Sequence, residues 1–355
     1  MTTWNLMAAN LFAGVSLCLA QFAGAAAHAD TGDDYRLSGP AVHGNLAIYF
    51  VHGKSRSGPI PLTLAEAFAK KTIVVRELGE VNELQIENTG SEEIFIQSGD
   101  IVKGGQQDRV LSVSLLLQPH SGPISIASFC VEQGRWSARG GEDAAKFSSA
   151  NASLPSRAAK MELAGVAPAQ SGGAEAQSVG RRQREIWKSV SEIQGKLSNS
   201  LGAPVAAPAS RTSLQLALEN GGLERAQADY VKALRPLGEK DDDIVGYVFA
   251  VNGKLSSADI YPSNGLFRKM WPKLLVACVT EAITEHGGKS DPVPPPPPVT
   301  EASGFLATPH DAPSVEKNVG SGGSVEVRDS TRTLFMEAKP AAAPSAWVHR
   351  NYLAK

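Results

Sequence analysis

The sequence predicts an α+β fold in which an antiparallel, β-sandwich-like core carries several flanking helices. Three observations lead to this prediction. Short apolar segments with two-residue alternation are concentrated in residues 43–131. Longer segments with the three- and four-residue apolar spacing of amphipathic helices begin at residue 179. A proline-rich linker then precedes a C-terminal β segment at residues 323–355, where apolar and polar residues alternate again.

The composition is that of a globular protein and excludes several classes of protein. The 355 residues include 34 basic and 36 acidic side chains, which gives a formal net charge of −2. A general nucleic-acid-binding protein needs a basic surplus to neutralise phosphates, so no nucleic-acid partner is expected. Three cysteines are too few for a disulfide-dense scaffold.

The first 29 residues have the features of a secretory signal peptide. They contain no Asp, Glu, Lys or Arg, and an apolar stretch is followed by the small-residue pattern Ala27-His28-Ala29. We predict cleavage after Ala29, a secreted or periplasmic location, and no membrane span in the mature chain. The alternative is an uncleaved membrane anchor, for which the apolar stretch is short.

The main domain is expected to span residues 30–288 and to begin with the β-rich core. A helix at 62–70 is expected because Thr63 and Glu66 have the spacing of a capping box. The turn-forming residues 88–91 predict a hairpin between the two strands that flank them. The strands expected in this part are 46–51, 73–75, 83–87, 93–96, 109–117 and 124–131.

The second half of the main domain is expected to be mostly helical. Residues 140–178, which are rich in Ala, Ser, Gly and Pro, predict a mobile surface insertion before the first of these helices. The pair Asn252-Gly253 predicts a tight hairpin turn, and Pro272 is expected to kink or restart the last helix. The expected helices are 179–199, 214–234 and one from about 265, and the expected hairpin strands are 244–251 and 255–261.

The end of the chain is expected to form a linker and a docking segment. Six prolines in residues 292–298 predict an extended polyproline stretch within a linker at 289–322. The alternating pattern of residues 323–355 predicts one or two strands that dock on the main domain.

Two cysteines, Cys130 and Cys278, remain after removal of the predicted signal peptide. A disulfide between them is one alternative in an oxidising compartment. A buried free thiol is the other, because Cys278 lies on an apolar helical stripe. The sequence has no histidine or cysteine spacing typical of a metal site and no nucleotide-binding glycine motif, so neither a metal nor a cofactor is expected.

The segment 99–109 is the first candidate site. The adjacent glycines 104 and 105 stand beside basic residues, so backbone N–H groups and positive charge could bind an anion there. The alternative is a strand connection in which glycine supplies a positive φ. The candidate ligand-binding residues of this segment are Lys103, Gln106, Gln107 and Arg109.

A second candidate site follows the strand that ends near residue 131. Here Glu132 is suited to act as a base or cation ligand, Arg135 as an anion clamp and Trp136 as a stacking platform. The alternative is an internal Glu132–Arg135 ion pair with Trp136 filling the core. We expect this segment and the segment 99–109 to lie side by side and form one site.

The segment 252–264 is a third chemically dense stretch, with Asn252, Lys254 and Ser256 among its polar residues. Its polar residues are also those of a hairpin turn followed by a helix N-cap, and the sequence favours this structural interpretation.

Five segments resemble the ARG and rhodanese-phosphatase-superfamily-associated protein domain family, and they occur in order between about residues 40 and 285. They are 99–109, 128–136, 246–254, 257–259 and 266–275. The family's name implies a gene-neighbourhood association with ADP-ribosylglycohydrolases and phosphatases. The resemblance transfers no catalytic residue to this chain. It also implies that Asp108 occupies a position where the family favours asparagine.

We therefore expect a secreted or periplasmic binding or accessory domain, whose partner is a small anionic ligand or an envelope protein. One alternative is a hydrolase of phosphate- or ADP-ribose-like compounds with Glu132 as general base. Another is a structural envelope protein that binds a partner through its proline-rich linker and tail. An enzyme needs Glu132 in a cleft with access to water, whereas in a scaffold this residue is paired and covered.

Overall fold

The computed structural model describes residues 1, 30–31, 35–135, 146–164, 174–286, 292–307 and 312–355. Residues 2–29 of the predicted signal peptide, including the cleavage position Ala29, lie outside the described residues, and so does Trp136. Within the described ranges, no helix is both long enough and apolar enough to cross a membrane.

The predicted α+β class is confirmed, since strands and helices both contribute extensively to the fold. The helices are α1 (Leu64–Lys70), α2 (Arg157–Leu163), α3 (Ala174–Leu201), α4 (Leu214–Leu218), α5 (Gly221–Gly238), α6 (Asn264–His286) and α7 (Val299–Ala307). The strands up to residue 153 are β1 (Asp30–Thr31), β2 (Tyr35–His43), β3 (Leu46–His52), β4 (Leu62–Thr63), β5 (Ile73–Glu77), β6 (Glu83–Asn88), β7 (Ile94–Ile96), β8 (Asp100–Gly104), β9 (Arg109–Leu111), β10 (Leu115–Leu117), β11 (Gly122–Cys130) and β12 (Phe147–Ser153). The later strands are β13 (Ile244–Val251), β14 (Lys254–Ile260), β15 (Ser314–Asn318), β16 (Gly323–Asp329), β17 (Thr333–Pro340) and β18 (His349–Ala354).

These strands form three sheets, and their pairing is antiparallel except between β4 and β7. The largest sheet has nine described strands in the order β1-β2-β3-β13-β14-β18-β17-β16-β15. A six-stranded sheet has the order β12-β8-β9-β11-β6-β5, and a three-stranded sheet has the order β10-β7-β4. The main apolar core contains side chains from all three sheets and from α3, α5 and α6.

Strand β3, which lies between β2 and β13 in the largest sheet, is buried on both faces, and this explains why the sequence there is mostly apolar. Leu46, Ile48 and Phe50 belong to the main core. Tyr49 and Val51 alternate with them and belong to a second apolar cluster, which α7 covers from the other side of the sheet.

The predicted helix at 62–70 is confirmed, together with its cap. Thr63 is the N-cap of α1: its hydroxyl accepts the Glu66 backbone N–H, and the Glu66 carboxylate accepts the Thr63 backbone N–H. This reciprocal pair satisfies two of the otherwise unbonded N–H groups at the helix start. A signal that depends on residues three positions apart is therefore sufficient to place this helix.

The predicted hairpin across residues 88–91 is wrong, because β6 and β7 belong to different sheets. The two neighbours of β6 are β5 and β11, whereas those of β7 are β10 and β4. The buried Asn88 amide donates to the carbonyls of Glu92 and Gln118 and accepts the Gly90 N–H. These residues therefore carry the chain from one sheet to the next instead of reversing it.

Residues 146–164, which lie within the predicted insertion at 140–178, are packed into the fold and are not a surface excursion. Residues 146–164 form β12, which pairs with β8, and α2, which follows it. Ala150, Ala152 and Leu154 are buried. Because small residues allow close packing without large apolar side chains, the composition resembled that of an exposed loop.

The predicted linker and tail contain more regular structure than the sequence indicated. Within 289–322, the described residues include α7 and β15. Residues 323–355 contribute three strands to the largest sheet, and β18 pairs with β14 near its centre. The chain end is therefore a structural part of the sheet.

Candidate functional site

The first two candidate segments lie against each other. β9 pairs with β11 and places Arg109 opposite Cys130, so the turn before β9 meets the residues after β11. The Val131 N–H donates to the Asp108 carbonyl at 3.2 Å. Arg135 Nη2 lies 3.7 Å from Asp108 Oδ1, which is well within the distance expected for neighbouring segments.

A buried ion pair between Glu132 and Arg135 lies where the two segments meet, and we call it the Glu132–Arg135 cluster. Glu132 is fully buried, and its Oε2 accepts a hydrogen bond from Arg135 Nε at 2.5 Å. Its Oε1 has no hydrogen-bond partner in the part of the chain that the structure describes. The carboxylate is therefore paired and covered, which is the arrangement expected of a scaffold, and a general base with access to water would need the opposite.

Arg109 also donates its hydrogen bonds to other residues of the protein. Its guanidinium is buried and donates to Gln107 Oε1 at 3.1 Å, to Cys130 Sγ at 2.8 Å and to Glu77 Oε1 at 3.5 Å. The Gln106 backbone N–H donates to the same Glu77 carboxylate. Two of the candidate anion-binding donors are thus already bonded to a carboxylate of the protein.

The remaining features of the segment have structural explanations. Lys103 pairs with Glu219 at 2.7 Å near the surface, away from the buried pair. Gly104 and Gly105 both have positive φ, and a Cβ on Gly104 would lie 2.2 Å from the Lys146 carbonyl oxygen. The glycine pair is therefore required by the turn and by β12, as the strand-connection alternative proposed.

The two cysteines are free and buried, so the disulfide alternative is not formed. Burial raises the pKa of the Cys130 thiol to about 11, although Arg109 partly opposes this. Burial likewise raises the pKa of Cys278. Both groups are therefore protonated thiols at neutral pH, which makes them poor nucleophiles.

A cleft of about 530 Å³ lies elsewhere, between the start of α2, the middle of α3, the β13–β14 turn and the end of α6. Its charged lining residues are Arg157, Glu192, Lys196, Lys254, Glu281 and Glu285. Lys254 and its neighbours Asn252 and Ser256 belong to the third segment that the sequence singled out, and this segment also forms the predicted hairpin turn.

Two cations in the cleft form no salt bridge with any residue that the structure describes. Arg157 and Lys254 form no salt bridge or side-chain hydrogen bond with any other residue that the structure describes. In contrast, Lys196 is paired with Glu285 at 2.7 Å. The sequence did not identify Arg157 as a site residue because it lies in the stretch interpreted as an insertion.

The carboxyl of Glu281 is largely buried in the lining of the cleft. It accepts a hydrogen bond from the Ser256 hydroxyl at 2.5 Å. Burial raises the pKa of Glu281, and the charges of Lys160 and Arg157 only partly oppose this effect. The protonated form of this carboxyl is therefore favoured more than in an exposed glutamate.

Replacing Glu281 with glutamine is expected to raise the melting temperature at pH 7. A carboxyl with a raised pKa in the folded state makes folding less favourable as the pH rises above the pKa of the unfolded chain. Glutamine keeps an acceptor for Ser256 and carries no charge. Melting curves at pH 4 and pH 7 test this: the gain should shrink at pH 4, and an equal gain at both values would contradict it.

The sequence match to a protein family extends over almost the entire described fold. A family profile, that of the ARG and Rhodanese-Phosphatase-superfamily-associated Protein domain, matches residues 34–353. The chain belongs to this family. The match includes the buried Glu132–Arg135 cluster, the cleft and the C-terminal strand β18, so it extends beyond the segments that suggested the resemblance.

The description of the family names no ligand, so a ligand has to be inferred from the candidate sites of this chain. No curated protein and no solved structure matches the chain. Among the described residues, no group of three or more His, Cys, Asp or Glu side chains is placed to hold a metal ion. Of the candidate sites described above, the charged cleft has space for a ligand, whereas the Glu132–Arg135 pair is buried.

Proposed function

We propose that this family member is an extracytoplasmic binding domain for a small anionic ligand, and that the cleft lined by Arg157 and Lys254 holds this ligand. The features of residues 1–29 support the location. The observation that carries the binding proposal is a large cleft with two cations that form no salt bridge within the described part of the chain.

Three basic and three acidic residues line the cleft, and it is two of the basic residues, which form no salt bridge with a described residue, that favour an anion. Lys196 and Glu285 neutralise each other, and burial favours the protonated form of Glu281. The remaining charged lining residues are the cations Arg157 and Lys254 and the acidic residues Glu192 and Glu281. A ligand that accepts charge-assisted hydrogen bonds from the two cations would supply the salt-bridge partner that the described residues do not. The uncharged polar lining residues Ser156, Ser189, Asn252 and Thr284 suit a ligand with hydroxyl or amino groups.

The buried Glu132–Arg135 cluster is a less favourable place for the same ligand. An anion there would have to replace Glu132 as the partner of Arg135 and leave a carboxylate buried without compensation, at a cost of several kcal/mol. A partner-binding role for a free tail is also less well supported, because residues 323–355 form strands inside the largest sheet.

A thermal-shift titration of the full chain with inorganic phosphate, AMP and ADP-ribose tests the proposal. At least one of these anions is expected to raise the melting temperature of the wild-type protein. Arg157→Ala and Lys254→Ala should each weaken that ligand by about tenfold or more, because each removes a hydrogen bond to a charged group. Higher ionic strength should reduce the shift.

Arg225→Ala and Lys232→Ala are matched controls for the loss of one positive charge. Both residues are exposed on α5, outside the cleft. They should leave the ligand-induced shift unchanged. A shift that is equally large in the cleft variants and in the controls would contradict the assignment of the cleft, and the absence of a shift with all three anions would contradict anion binding by this chain.

A further inference from the structure

A second pocket, of about 260 Å³, shares no lining residue with the charged cleft. It lies between the loop that joins β3 to β4, the start of α6, the end of β10 and the connection from β17 to β18. Its wall is mostly apolar and includes four prolines and the side chains of Leu116, Leu266, Trp347 and Val348. The space equals that of about nine water molecules, so it suits a ligand of about as many non-hydrogen atoms.

The wall of this pocket is held in place by bonds within the protein. The Arg56 backbone N–H donates to the Pro262 carbonyl at 2.8 Å, which ties the loop 56–61 to the start of α6. The Leu62 backbone N–H donates to the Glu93 carbonyl at 2.8 Å, which ties the end of the same loop to β7. Two prolines within the loop fix φ. A pocket that is formed in advance loses little conformational entropy when a ligand binds.

Arg56 supplies a cation to the pocket. Its Nη1 donates to the Trp347 carbonyl at 3.0 Å, and its guanidinium carbon lies 5.0 Å from the centre of the Trp347 ring. These contacts orient the guanidinium, but Arg56 forms no salt bridge with any residue that the structure describes. Arg350, the other cation that lies over Trp347, is paired with Glu337 at 2.7 Å. Arg56 therefore has N–H donors left for a carboxylate.

Glu93, directly before β7, supplies an anion to the same pocket. One of its carboxylate oxygens accepts a hydrogen bond from Gln118 Nε2 at 3.0 Å. Because this amide is uncharged, and because Glu93 forms no salt bridge within the described ranges, its negative charge has no cationic partner there. Glu93 and Arg56 also form no salt bridge with each other.

One cation and one anion beside an apolar wall match a ligand that has both charges and an apolar side chain. An alkyl carboxylate would supply a partner for Arg56 only, and an alkylamine would supply one for Glu93 only. An apolar α-amino acid supplies both, and leucine has about the number of non-hydrogen atoms that the space allows.

We propose that this pocket binds a free apolar amino acid of about the size of leucine. Its carboxylate accepts hydrogen bonds from Arg56, its ammonium group donates to Glu93, and its side chain packs on the apolar wall. Because this pocket and the charged cleft have different lining residues, the proposal is independent of the proposed anion-binding function.

Isothermal titration calorimetry of the full chain with L-leucine, isocaproate, isoamylamine and glycine tests the proposal. Isocaproate is leucine without the ammonium group, isoamylamine is leucine without the carboxylate, and glycine lacks the apolar side chain. We expect L-leucine to bind, and each of the other three to bind at least about tenfold more weakly, because each lacks one of the three contacts. Absence of leucine binding, or an analogue that binds as tightly as leucine, would overturn the proposal.

Two substitutions assign the two charges separately. Arg56→Gln should weaken leucine binding about tenfold or more and remove the preference for leucine over isoamylamine. Glu93→Gln should likewise weaken it and remove the preference for leucine over isocaproate. Melting curves verify that each variant is folded. Leucine binding that is unchanged in both folded variants would contradict the assignment of this pocket.

Arg332→Gln and Glu80→Gln are the matched controls, because both residues are exposed and lie outside the pocket. They should leave leucine binding unchanged. Arg157→Ala, in the charged cleft, should also leave it unchanged. If Arg157→Ala abolished leucine binding and Arg56→Gln did not, the ligand would belong to the cleft, and the proposal for this pocket would be overturned.

Discussion

Trp271→Ala is expected to lower the free energy of unfolding by about 3 to 5 kcal/mol. Trp271 is fully buried in α6, and its indole makes ring contacts with Phe50, Tyr247 and Phe267 at centroid distances of 5.5 to 5.6 Å. Its Nε1 donates to the Arg235 carbonyl at 3.0 Å. Alanine removes these contacts, leaves a cavity between α6 and the largest sheet, and deprives a backbone carbonyl of its donor.

Urea unfolding of the full chain measures this effect, with Trp271→Phe as the conservative comparison. Phenylalanine keeps most of the ring contacts and loses the hydrogen bond, so its cost should be clearly smaller than that of alanine. If both substitutions cost less than about 1 kcal/mol, the packing of α6 against the sheet would not be the main core of this protein.

Arg109→Ala is the second substitution with a large expected effect, again about 3 to 5 kcal/mol of destabilisation. Arg109 is 1% exposed, and its guanidinium donates hydrogen bonds to Gln107, Cys130 and Glu77. Its removal leaves a largely covered Glu77 carboxylate without its cationic partner, and a buried charge without compensation is costly.

Lys103→Ala is the matched control for Arg109→Ala. Lys103 lies in the same hairpin, but its ion pair with Glu219 is partly exposed, so its loss should cost less than about 1 kcal/mol. Thermal or urea unfolding of both variants makes the comparison. If Arg109→Ala were as stable as the wild type and abolished binding of an anion, the buried cluster would be a ligand site and not an internal network.

The sequence predicted a helix or a turn correctly where the residues that specify it lie within a few positions of each other. The capping box of α1 and the tight turn at Asn252-Gly253 depend on side chains and φ values within a few residues. The hairpin expected at 88–91 failed because Asn88 is bonded to a carbonyl 30 residues away. Turn-forming residues identify a change of direction, but they do not determine which strand lies next to which.

For the candidate sites too, the sequence predicted which segments lie together but not which side chains are buried. The sequence correctly predicted that the segments around Arg109 and Glu132 lie together, and the pairing of β9 with β11 brings them there, although β10 lies between these strands along the chain. It could not show that these charges are buried and satisfied by each other. Arg157 lay in a stretch whose alanines and serines resembled a loop, so its place in the cleft had no signal in the composition.

The α+β class and the positions of elements with local caps and turns could be predicted from the amino-acid sequence, because they depend on periodicity and on contacts between near neighbours. The family could be recognised because segments that resemble it occur in order along the sequence. The packing of the whole protein determines which polar groups are enclosed, which line a cleft and which are hydrogen-bonded over long sequence distances, as Ser114 is to His349 and His349 is to Asp259. Those outcomes depend on contacts between residues 90 or 235 positions apart. The pKa and reactivity of a side chain follow from its burial and partners, which the packing of the whole chain creates.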